Sequence, residues 1–391
     1  MSEREPLIFI VSGETSGDNL AARLMAALKA ETGGRVRFAG VGGPQSEKQG
    51  LQSLFPMSEL SLMGLAEVLP HLPRLARRLN ETVAAARALQ PDAVVTVDSP
   101  DFCLRVCERL HGSGFPAIHY VAPQLWAWRP GRARKLAAKI DHLMALLPFE
   151  VPFFAQYGVP CSYVGHPAIE SGASHGDGPA FRARHLLPAN ATLLCVIPGS
   201  RPGEVRRMLP VFAEAIALLK APHPDLHVVI PVVPTAEEEV REATRDWPLP
   251  VLLLTDLSER FDAFAASDAA MAKSGTVSLE LALAGVPMVV GYRVSPATAF
   301  IARRLINVEH ASLANLLVGR AIIPEFIQEN CTPSNLAATV EALLRPGAPR
   351  EAQREGFREA IEILGNPEPP PSVRAARVVL DLIRAREESE S

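Results

Sequence analysis

The segment Lys273–Glu280 combines a turn of small residues with a carboxylate at helical spacing. An apolar strand candidate precedes the turn, and a Gly-Val-Pro stop follows the helix. Ser274, Gly275 and Thr276 would lie where the first N–H groups of the helix point outward, a site suited to a diphosphate. Glu280 lies one turn further along the same face, where it could accept hydrogen bonds from ribose hydroxyls. Ordinary capping of the helix by a hydroxyl side chain explains the same turn equally well.

A second turn of this kind follows the apolar run Thr192–Ile197. It contains Ser200 and Arg201 and leads into a helix that is predicted to extend to about Lys220. A guanidinium beside the N–H groups of a helix start could bind a diphosphate with two parallel hydrogen bonds. A surface arginine would need no such role, but the position directly after a strand favours the functional interpretation.

Acidic and hydroxyl residues follow two strands in the first half of the chain. Ser12 and Glu14 come after the run Leu7–Val11, and Asp98 comes after Asp92–Val97. Ligands of open parallel sheets collect beyond the carboxyl ends of the strands, so Asp98 is a candidate general base there. Capping of the next helix is an equally good explanation of Asp98 on local grounds. The first glycine turn lacks the G-x-G-x-x-G order of the dinucleotide fingerprint.

Short buried strands alternate with helical stretches along the whole chain. This pattern predicts an α/β fold with parallel sheets that carry helices on both faces. A length of 391 residues favours two domains. A small, polar, glycine-rich stretch at Glu170–Pro179 is the predicted linker.

The predicted boundaries are residues 1–170 for the first domain, 171–366 for the second, and 367–391 for a C-terminal helix and tail. A proline-rich break at Pro367–Ser372 precedes an amphipathic helix that is predicted over Ala375–Arg386. Its separation from the second domain suggests that this helix packs back on the first domain or on a partner subunit.

The bulk composition is that of a globular protein, with 48% hydrophobic residues and a formal net charge of −4. This charge gives no reason to expect a nucleic-acid partner. The five cysteines are scattered through apolar segments, which indicates free thiols in a reducing compartment. The N-terminus lacks the order of a signal peptide and no run of 18 apolar residues occurs, so a cytoplasmic protein is expected.

Two further segments have an unusual composition. Residues 60–75 are strongly apolar for a connection and lead into Arg74, Arg77 and Arg78. A helix packed on the core is one explanation, and an exposed flap that contacts acyl chains or a membrane is the other. The segment Tyr120–Arg129 contains two tryptophans and is typical of a ligand wall, whereas His119 is expected to be a core histidine.

Five motifs together resemble those of the lipid-A-disaccharide synthases, a GT-B family of glycosyltransferases with two Rossmann-like domains. The resemblance runs in order from about residue 7 to residue 385. The motifs are Ser12–Asp18, Tyr120–Arg129, Val164–Pro167, Ile197–Arg201 and Lys273–Glu280.

The resemblance implies an inverting transfer of 2,3-diacylglucosamine from its UDP derivative onto the 6-hydroxyl of 2,3-diacylglucosamine 1-phosphate (lipid X). The products would be UDP and the β-1,6 disaccharide of lipid A. No metal ion and no other cofactor is expected, because helix N-termini and basic side chains stabilise the leaving UDP in this family.

The resemblance also implies roles for individual residues. Asp98 would be the catalytic base, with Ser12 and Glu14 in the same cleft. Glu280 would bind the ribose, together with Asn315. The residues expected to hold the diphosphate are Ser200, Arg201, Ser274, Gly275 and Thr276.

The implied setting is the cytoplasmic face of the inner membrane, with peripheral attachment to the inner leaflet and a possible homodimer. Other GT-B enzymes that use UDP-N-acetylglucosamine, such as the N-acetylglucosamine transferase of peptidoglycan synthesis or a 2-epimerase, are the alternatives within this fold. A nucleotide-binding membrane adaptor without catalysis is the alternative of another class.

Overall fold

A computed structural model describes residues 5–60, 71–128, 130–188, 190–295, 298–299, 309–365 and 368–390. The chain divides into two compact units. The first unit is Met1–Pro167 together with Pro367–Ser391, and the second is Ala168–Asn366.

The first unit contains a six-stranded parallel sheet with the order β2-β1-β3-β4-β5-β6 among its described residues. The order reverses at β1, since β2 pairs with one edge of β1 and β3 with the other. The strands are β1 (Leu7–Ser12), β2 (Arg37–Val41), β3 (Ala93–Val97), β4 (Ala117–Tyr120), β5 (His142–Ala145) and β6 (Cys161–Tyr163).

Helices cover both faces of this sheet. The helices are α1 (Thr15–Glu31), α2 (Pro44–Lys48), α3 (Leu72–Leu89), α4 (Pro100–Leu110), α5 (Leu125–Trp128), α6 (Ala133–Leu136), α7 (Glu150–Ala155) and, at the C-terminus, α16 (Pro371–Glu390). Single turns of 3-10 helix lie at Met57–Glu59 and Pro130–Arg132.

Strand β1 shows how the sheet divides its core. Ile8 and Ile10 pack on the face covered by α1 and α16, while Phe9 and Val11 pack on the face covered by α3 and α4. Successive side chains of a strand point to opposite faces, so a strand that is buried on both faces must be apolar throughout.

The C-terminal helix α16 packs against α1 of the first unit. Val379 and Ile383 are buried in the same core cluster as the leucines of α1. Arg377 forms an ion pair with Glu31 at 2.9 Å, and Arg374 donates a hydrogen bond of 2.8 Å to the carbonyl of Tyr163. Of the two predicted positions for this helix, the first domain or a partner subunit, the structure shows the first.

The second unit has its own six-stranded parallel sheet with the order β12-β11-β10-β7-β8-β9 among its described residues. Here the order reverses at β7, which pairs with β8 on one edge and β10 on the other. The strands are β7 (Thr192–Ile197), β8 (Leu226–Pro231), β9 (Val251–Leu254), β10 (Ala269–Lys273), β11 (Met288–Tyr292) and β12 (Glu325–Ile327).

The helices of the second unit surround this sheet. They are α8 (Gly178–Arg184), α9 (Pro202–Leu219), α10 (Glu237–Thr244), α11 (Arg260–Ala266), α12 (Val277–Leu283), α13 (Leu313–Val318), α14 (Pro333–Leu344) and α15 (Ala348–Leu364). Single 3-10 turns lie at Ala173–His175, Pro234–Ala236, Leu257–Glu259 and Gln328–Asn330.

The predicted fold class, two Rossmann-like α/β sheets, is confirmed, but three elements differ in detail. Helix α16 begins at Pro371, four residues before the predicted start, because proline is favoured in the first turn of a helix. Strand β12 was not predicted, since three residues give no readable period. The sequence pattern extends strand β4 to Pro123, whereas the strand ends at Tyr120, before Val121 turns the chain with a positive φ of 82°.

Asp18 in the first turn of α1 fixes the loop that follows β2. Its carboxylate is buried and accepts hydrogen bonds from the N–H groups of Gly43, Gln45 and Ser46 at 2.9 to 3.0 Å. The Ser46 hydroxyl donates another at 2.5 Å. These are the N–H groups at the start of α2, which have no partner within their own helix. Asp18 therefore caps a helix that lies about 25 residues further along the chain.

We expect Asp18→Ala to lower the free energy of unfolding by roughly 2–5 kcal/mol, because three N–H groups, two of them buried, would lose their acceptor. Urea denaturation followed by circular dichroism measures this change. Asp246→Ala removes an exposed carboxylate and should change stability by no more than about 0.5 kcal/mol. Equal, small effects of the two substitutions would contradict this role of Asp18.

Candidate active site

Both sheets place polar residues at the point where their strand order reverses. In the first unit this point lies between β1 and β3, where Ser12 is paired in register with Val97. In the second unit it lies between β7 and β10, where Ile197 is paired with Ala272. The carboxyl ends of strands at such a reversal form the usual ligand crevice of open parallel sheets. The predicted site residues thus form two groups, one on each sheet.

Asp98 lies at the carboxyl edge of the first sheet and is partly buried. The Ser16 hydroxyl donates a hydrogen bond of 2.9 Å to its carboxylate. Ser12 ends β1 with its side chain buried, and its hydroxyl lies 3.7 Å from the sulfur of Met57. Glu14 precedes α1 and is half-buried. Ser16 was not predicted as a site residue, although it lies within the first motif.

The backbone is strained at this edge. Asp98 and Ser99 have φ values of 55° and 42°, and Val121, after the neighbouring strand, has 82°. Non-glycine residues in the left-handed region cost about 1–3 kcal/mol each, and a β-branched valine is especially unfavourable there. Such strain concentrates at functional sites, where the surrounding structure holds it in place.

The start of α1 packs directly against the end of β3. A Cβ atom on Gly17 would lie 3.0 Å from the carbonyl oxygen of Val97 and 3.4 Å from the Cβ of Asp98. A larger residue at position 17 would push α1 away from the strand. The glycine therefore lets the helix bring Ser16 within hydrogen-bonding distance of Asp98.

The carboxyl edge of the second sheet carries a carboxylate that holds two cations. Glu204, in the first turn of α9, lies 2.9 Å from the ammonium of Lys273 and 3.5 Å from the guanidinium of Arg201. Lys273 is the last residue of β10, and its ammonium also lies 5.0 Å from the centre of the Tyr292 ring. Sequence reasoning identified Arg201 but assigned no role to Lys273 or Glu204.

Gly199 makes room for this carboxylate. Its φ is 129°, and a Cβ atom there would lie 2.8 Å from Oε2 of Glu204. Ser200 and Thr276 are exposed, and Gly275 faces open space. Ser274 is half-buried, and its hydroxyl donates a hydrogen bond of 2.8 Å to the carbonyl of Ala311. The five residues predicted to hold a diphosphate thus lie in two turns that follow neighbouring strands.

Glu280 is held by an arginine of another helix. Its carboxylate lies 3.1 Å from the guanidinium of Arg260, which in turn stacks on the ring of Phe261 at 4.4 Å. Arg260 begins α11. No local sequence pattern predicts its contact with Glu280, because only the fold brings the two side chains together.

Asn315 lies in the interior of the second unit, where its amide makes several hydrogen bonds. It is fully buried, its amide nitrogen donates to the carbonyl of Ile323 and to Glu325, and its amide oxygen accepts from the N–H groups of Ile322 and Ile323. Glu325 also accepts hydrogen bonds from the N–H groups of Ala311 and Ser312. Asn315 therefore supports the loop to which Ser274 is hydrogen-bonded, and its own amide has no exposed surface.

A buried carboxylate supports the tryptophan segment of the first unit. Glu150 accepts hydrogen bonds from the indole N–H of Trp126 at 3.1 Å and from the N–H groups of Leu146 and Leu147. Removal from water raises the pKa of Glu150 to about 7. Trp126 also packs edge-on against Phe149, with ring centres 5.0 Å apart.

Some sequence-based predictions fall outside the described residues. Residues 61–70, which make up most of the predicted apolar flap, lie outside them, as does Arg129. No group of three or more metal-ligating side chains occurs in the ranges that the structure describes. Within those same ranges, no helix is long and apolar enough to cross a membrane.

The overall architecture is that of the GT-B class of glycosyltransferases. A solved structure, the glycosyltransferase of kitacinnamycin, is similar with a TM-score of 0.66 over 97% of this chain and 100% of its own. Its sequence identity to this chain is 17%, so the likeness concerns the fold alone.

Sequence comparison identifies the family within that class. Residues 8–367 match the lipid-A-disaccharide synthetase family. The lipid-A-disaccharide synthase of Rhodospirillum centenum is 52% identical over 97% of this chain and 95% of its own length. That of Gluconobacter oxydans is 47% identical over 96% of this chain and 91% of its own. The chain therefore belongs to the lipid-A-disaccharide synthetase family, as its motifs predicted.

Two buried histidines of the first unit should make stability depend on pH. His119, which lies 2.8 Å from the hydroxyl of Thr96, and His166 are both buried, and burial lowers the pKa of each to about 4. An unfolded histidine has a pKa of about 6.5. Between these values the unfolded state binds more protons, so the free energy of unfolding falls as the pH falls from about 6.5 to 4.

We expect His119→Gln to reduce this loss by up to about 1.4 kcal/mol per pH unit within that window. Urea denaturation at about pH 7 and about pH 5.5 measures it. Comparison with the unsubstituted protein cancels the opposite contribution of Glu150, whose raised pKa weakens stability as the pH rises towards 7. His175→Gln, an exposed site, is the control and should leave the slope unchanged; an unchanged slope in His119→Gln would contradict the assignment.

Proposed function

We propose that this protein transfers 2,3-diacylglucosamine from UDP-2,3-diacylglucosamine to the 6-hydroxyl of lipid X. The products are UDP and the β-1,6-linked lipid A disaccharide 1-phosphate. The observation that carries this proposal is the family match over residues 8–367, with a lipid-A-disaccharide synthase 52% identical over nearly the whole chain. The carboxylates and cations at the two strand-order reversals fit the chemistry of such a transfer.

In the proposed reaction, Asp98 of the first unit is the general base. Its carboxylate takes the proton of the acceptor hydroxyl while that oxygen bonds to the anomeric carbon of the donor. The bond between the anomeric carbon and the β-phosphate oxygen breaks at the same time, and its electron pair leaves with UDP. Ser16 supports this role, because its hydrogen bond orients the Asp98 carboxylate. Glu14 lies on the acceptor side of the same edge, and the buried Ser12 supports the turn beneath it through its contact with Met57.

The second unit holds the nucleotide in this proposal. Arg201 is exposed at the carboxyl edge and can place two parallel donors on the diphosphate. The hydroxyls of Ser200 and Thr276 and the N–H groups of Ser274 and Gly275 lie in the two adjacent turns and complete the contact. We propose that these groups, without a metal ion or another cofactor, neutralise the charge that develops on the leaving UDP.

Glu280 binds the ribose hydroxyls, and Arg260 orients its carboxylate through their contact at 3.1 Å. Asn315 contributes indirectly. It fixes the loop whose Ala311 carbonyl accepts the hydrogen bond of Ser274. A nucleotide contact through the amide of Asn315 itself would require this buried network to open.

The substrates of the proposed reaction carry acyl chains, so we propose that the enzyme acts as a peripheral protein at the cytoplasmic face of the inner membrane. Helix α3 supports this assignment with a basic first half. Arg74 and Arg78 are paired with Glu59, whereas Arg77 is exposed. A homodimer remains a prediction from the family resemblance.

The direct test is release of UDP from UDP-2,3-diacylglucosamine and lipid X by the purified protein. Turnover of this pair, but not of UDP-N-acetylglucosamine, is the expected result. Absence of turnover with tight binding of UDP would favour the non-catalytic adaptor, and turnover of the unacylated donor would favour another GT-B enzyme.

Asp98→Asn should reduce the rate of UDP release by about 100-fold or more, because loss of a general base typically costs 10²–10⁴-fold. The affinity for UDP alone, measured by calorimetry, should stay unchanged, because Asp98 acts on the acceptor substrate in the proposed reaction and residues of the second unit bind UDP. Asp101→Asn alters an exposed carboxylate at the start of the next helix and serves as the matched control. Full turnover by Asp98→Asn would exclude Asp98 as the base.

A further inference from the structure

Lys273 and Glu204 form a largely buried ion pair that the proposed function leaves without a role. Their side chains are only 16% and 13% exposed, and the ammonium lies 2.9 Å from the carboxylate. The pair lies at the carboxyl edge of the second sheet. Lys273 directly precedes Ser274 in the chain, and Glu204 lies one helical turn after Arg201.

Stability alone is a weak reason for such a pair. Removing two charges from water is costly, and apolar residues of the same volume often stabilise a protein equally well or better. Gly199 adapts its backbone to make room for the carboxylate, which is a second feature of the chain devoted to this contact.

The arrangement of charges indicates an anionic ligand. Lys273 and Arg201 approach the same oxygen of Glu204, so two cations share one carboxylate and leave a net positive charge. The lysine contact is short and shielded, whereas Arg201 is 46% exposed and its contact is longer, at 3.5 Å. An ammonium has three N–H donors and can serve a phosphate oxygen while it remains bound to Glu204.

We propose that Lys273 binds the diphosphate of the nucleotide, and that Glu204 is the positioning residue that holds the Lys273 ammonium in place. This inference rests on the proposed function. A fixed ammonium at the edge stabilises the negative charge that the β-phosphate oxygens gain as the glycosidic carbon departs. Arg201, which Glu204 holds loosely, is then able to turn towards the same phosphates.

The first test compares UDP with uridine, which lacks the phosphates. In Lys273→Met the dissociation constant of UDP should rise by about 10- to 100-fold, while that of uridine stays within about twofold. Lys273→Arg, which retains the charge, should restore most of the UDP affinity. Both ligands are measured by calorimetry on the full chain.

Arg206→Met is the matched control. Arg206 lies on the same helix as Glu204 and pairs with Glu239 at 2.7 Å, but it is exposed. This substitution should change the affinity for neither UDP nor uridine. Equal weakening of UDP and uridine by Lys273→Met would assign the lysine a purely structural role and overturn the inference, as would unchanged UDP affinity.

Glu204→Gln supplies a second, independent readout, which also decides the matter should Lys273→Met fail to fold. Glutamine fills the same space without a charge, so it no longer fixes the Lys273 ammonium at the edge. In Glu204→Gln the dissociation constant of UDP should therefore rise by about 5- to 10-fold, while that of uridine stays within about twofold. Unchanged UDP affinity, or equal weakening of both ligands, would overturn the positioning role.

The failure of this inference is distinguishable from failure of the proposed function. Turnover of the diacylated donor and acceptor by the unsubstituted protein tests the function, without reference to Lys273. If the unsubstituted protein turns over the diacylated substrates but binds UDP no more tightly than uridine, the role of Lys273 is refuted. The proposed transferase reaction is then still supported.

Discussion

Burial of both faces of a parallel sheet is the constraint on which the rest of this structure depends. Strands such as β1, β3 and β10 have almost no exposed side chains along their length, because helices cover each sheet on both sides. Charged groups can reach water only where strands end. The reversal of strand order then separates the following connections and leaves an edge where such groups converge. Asp98 in one unit and Lys273 in the other follow from the same rule.

The loops at these edges are held by carboxylates that lie underneath them. Asp18 binds the N–H groups that start α2, Glu150 binds Leu147 and the indole of Trp126, and Glu325 binds the loop at Ala311. A loop cannot pair its own N–H groups as a helix or strand does, so a buried acceptor must do so. The strained residues Asp98 and Val121 persist because the neighbouring strands hydrogen-bond their N–H groups, at the carbonyls of Tyr120 and Met144.

The sequence predicts which residues follow the strand ends, but it does not predict which distant residues pair with one another. Apolar runs followed by small-residue turns located Asp98, Arg201 and the Ser274 turn, because position relative to a strand end is a local property. Glu204 and Lys273 are separated by 69 positions, and only the pairing of β7 with β10 brings them together. No local pattern contains that information.

Asn315 illustrates the same limit of sequence-based prediction, here for a buried polar residue. A polar residue such as Asn315 can face the ligand or the core, and the sequence Ser-Leu-Ala-Asn gives no indication of which. Here the amide satisfies two backbone N–H groups and a carbonyl in the interior. An apolar side chain of similar size would leave those groups without partners, which costs more than the amide costs to bury. A polar residue can therefore be required at a binding site without contact to the ligand, because it shapes the loop that makes the contact.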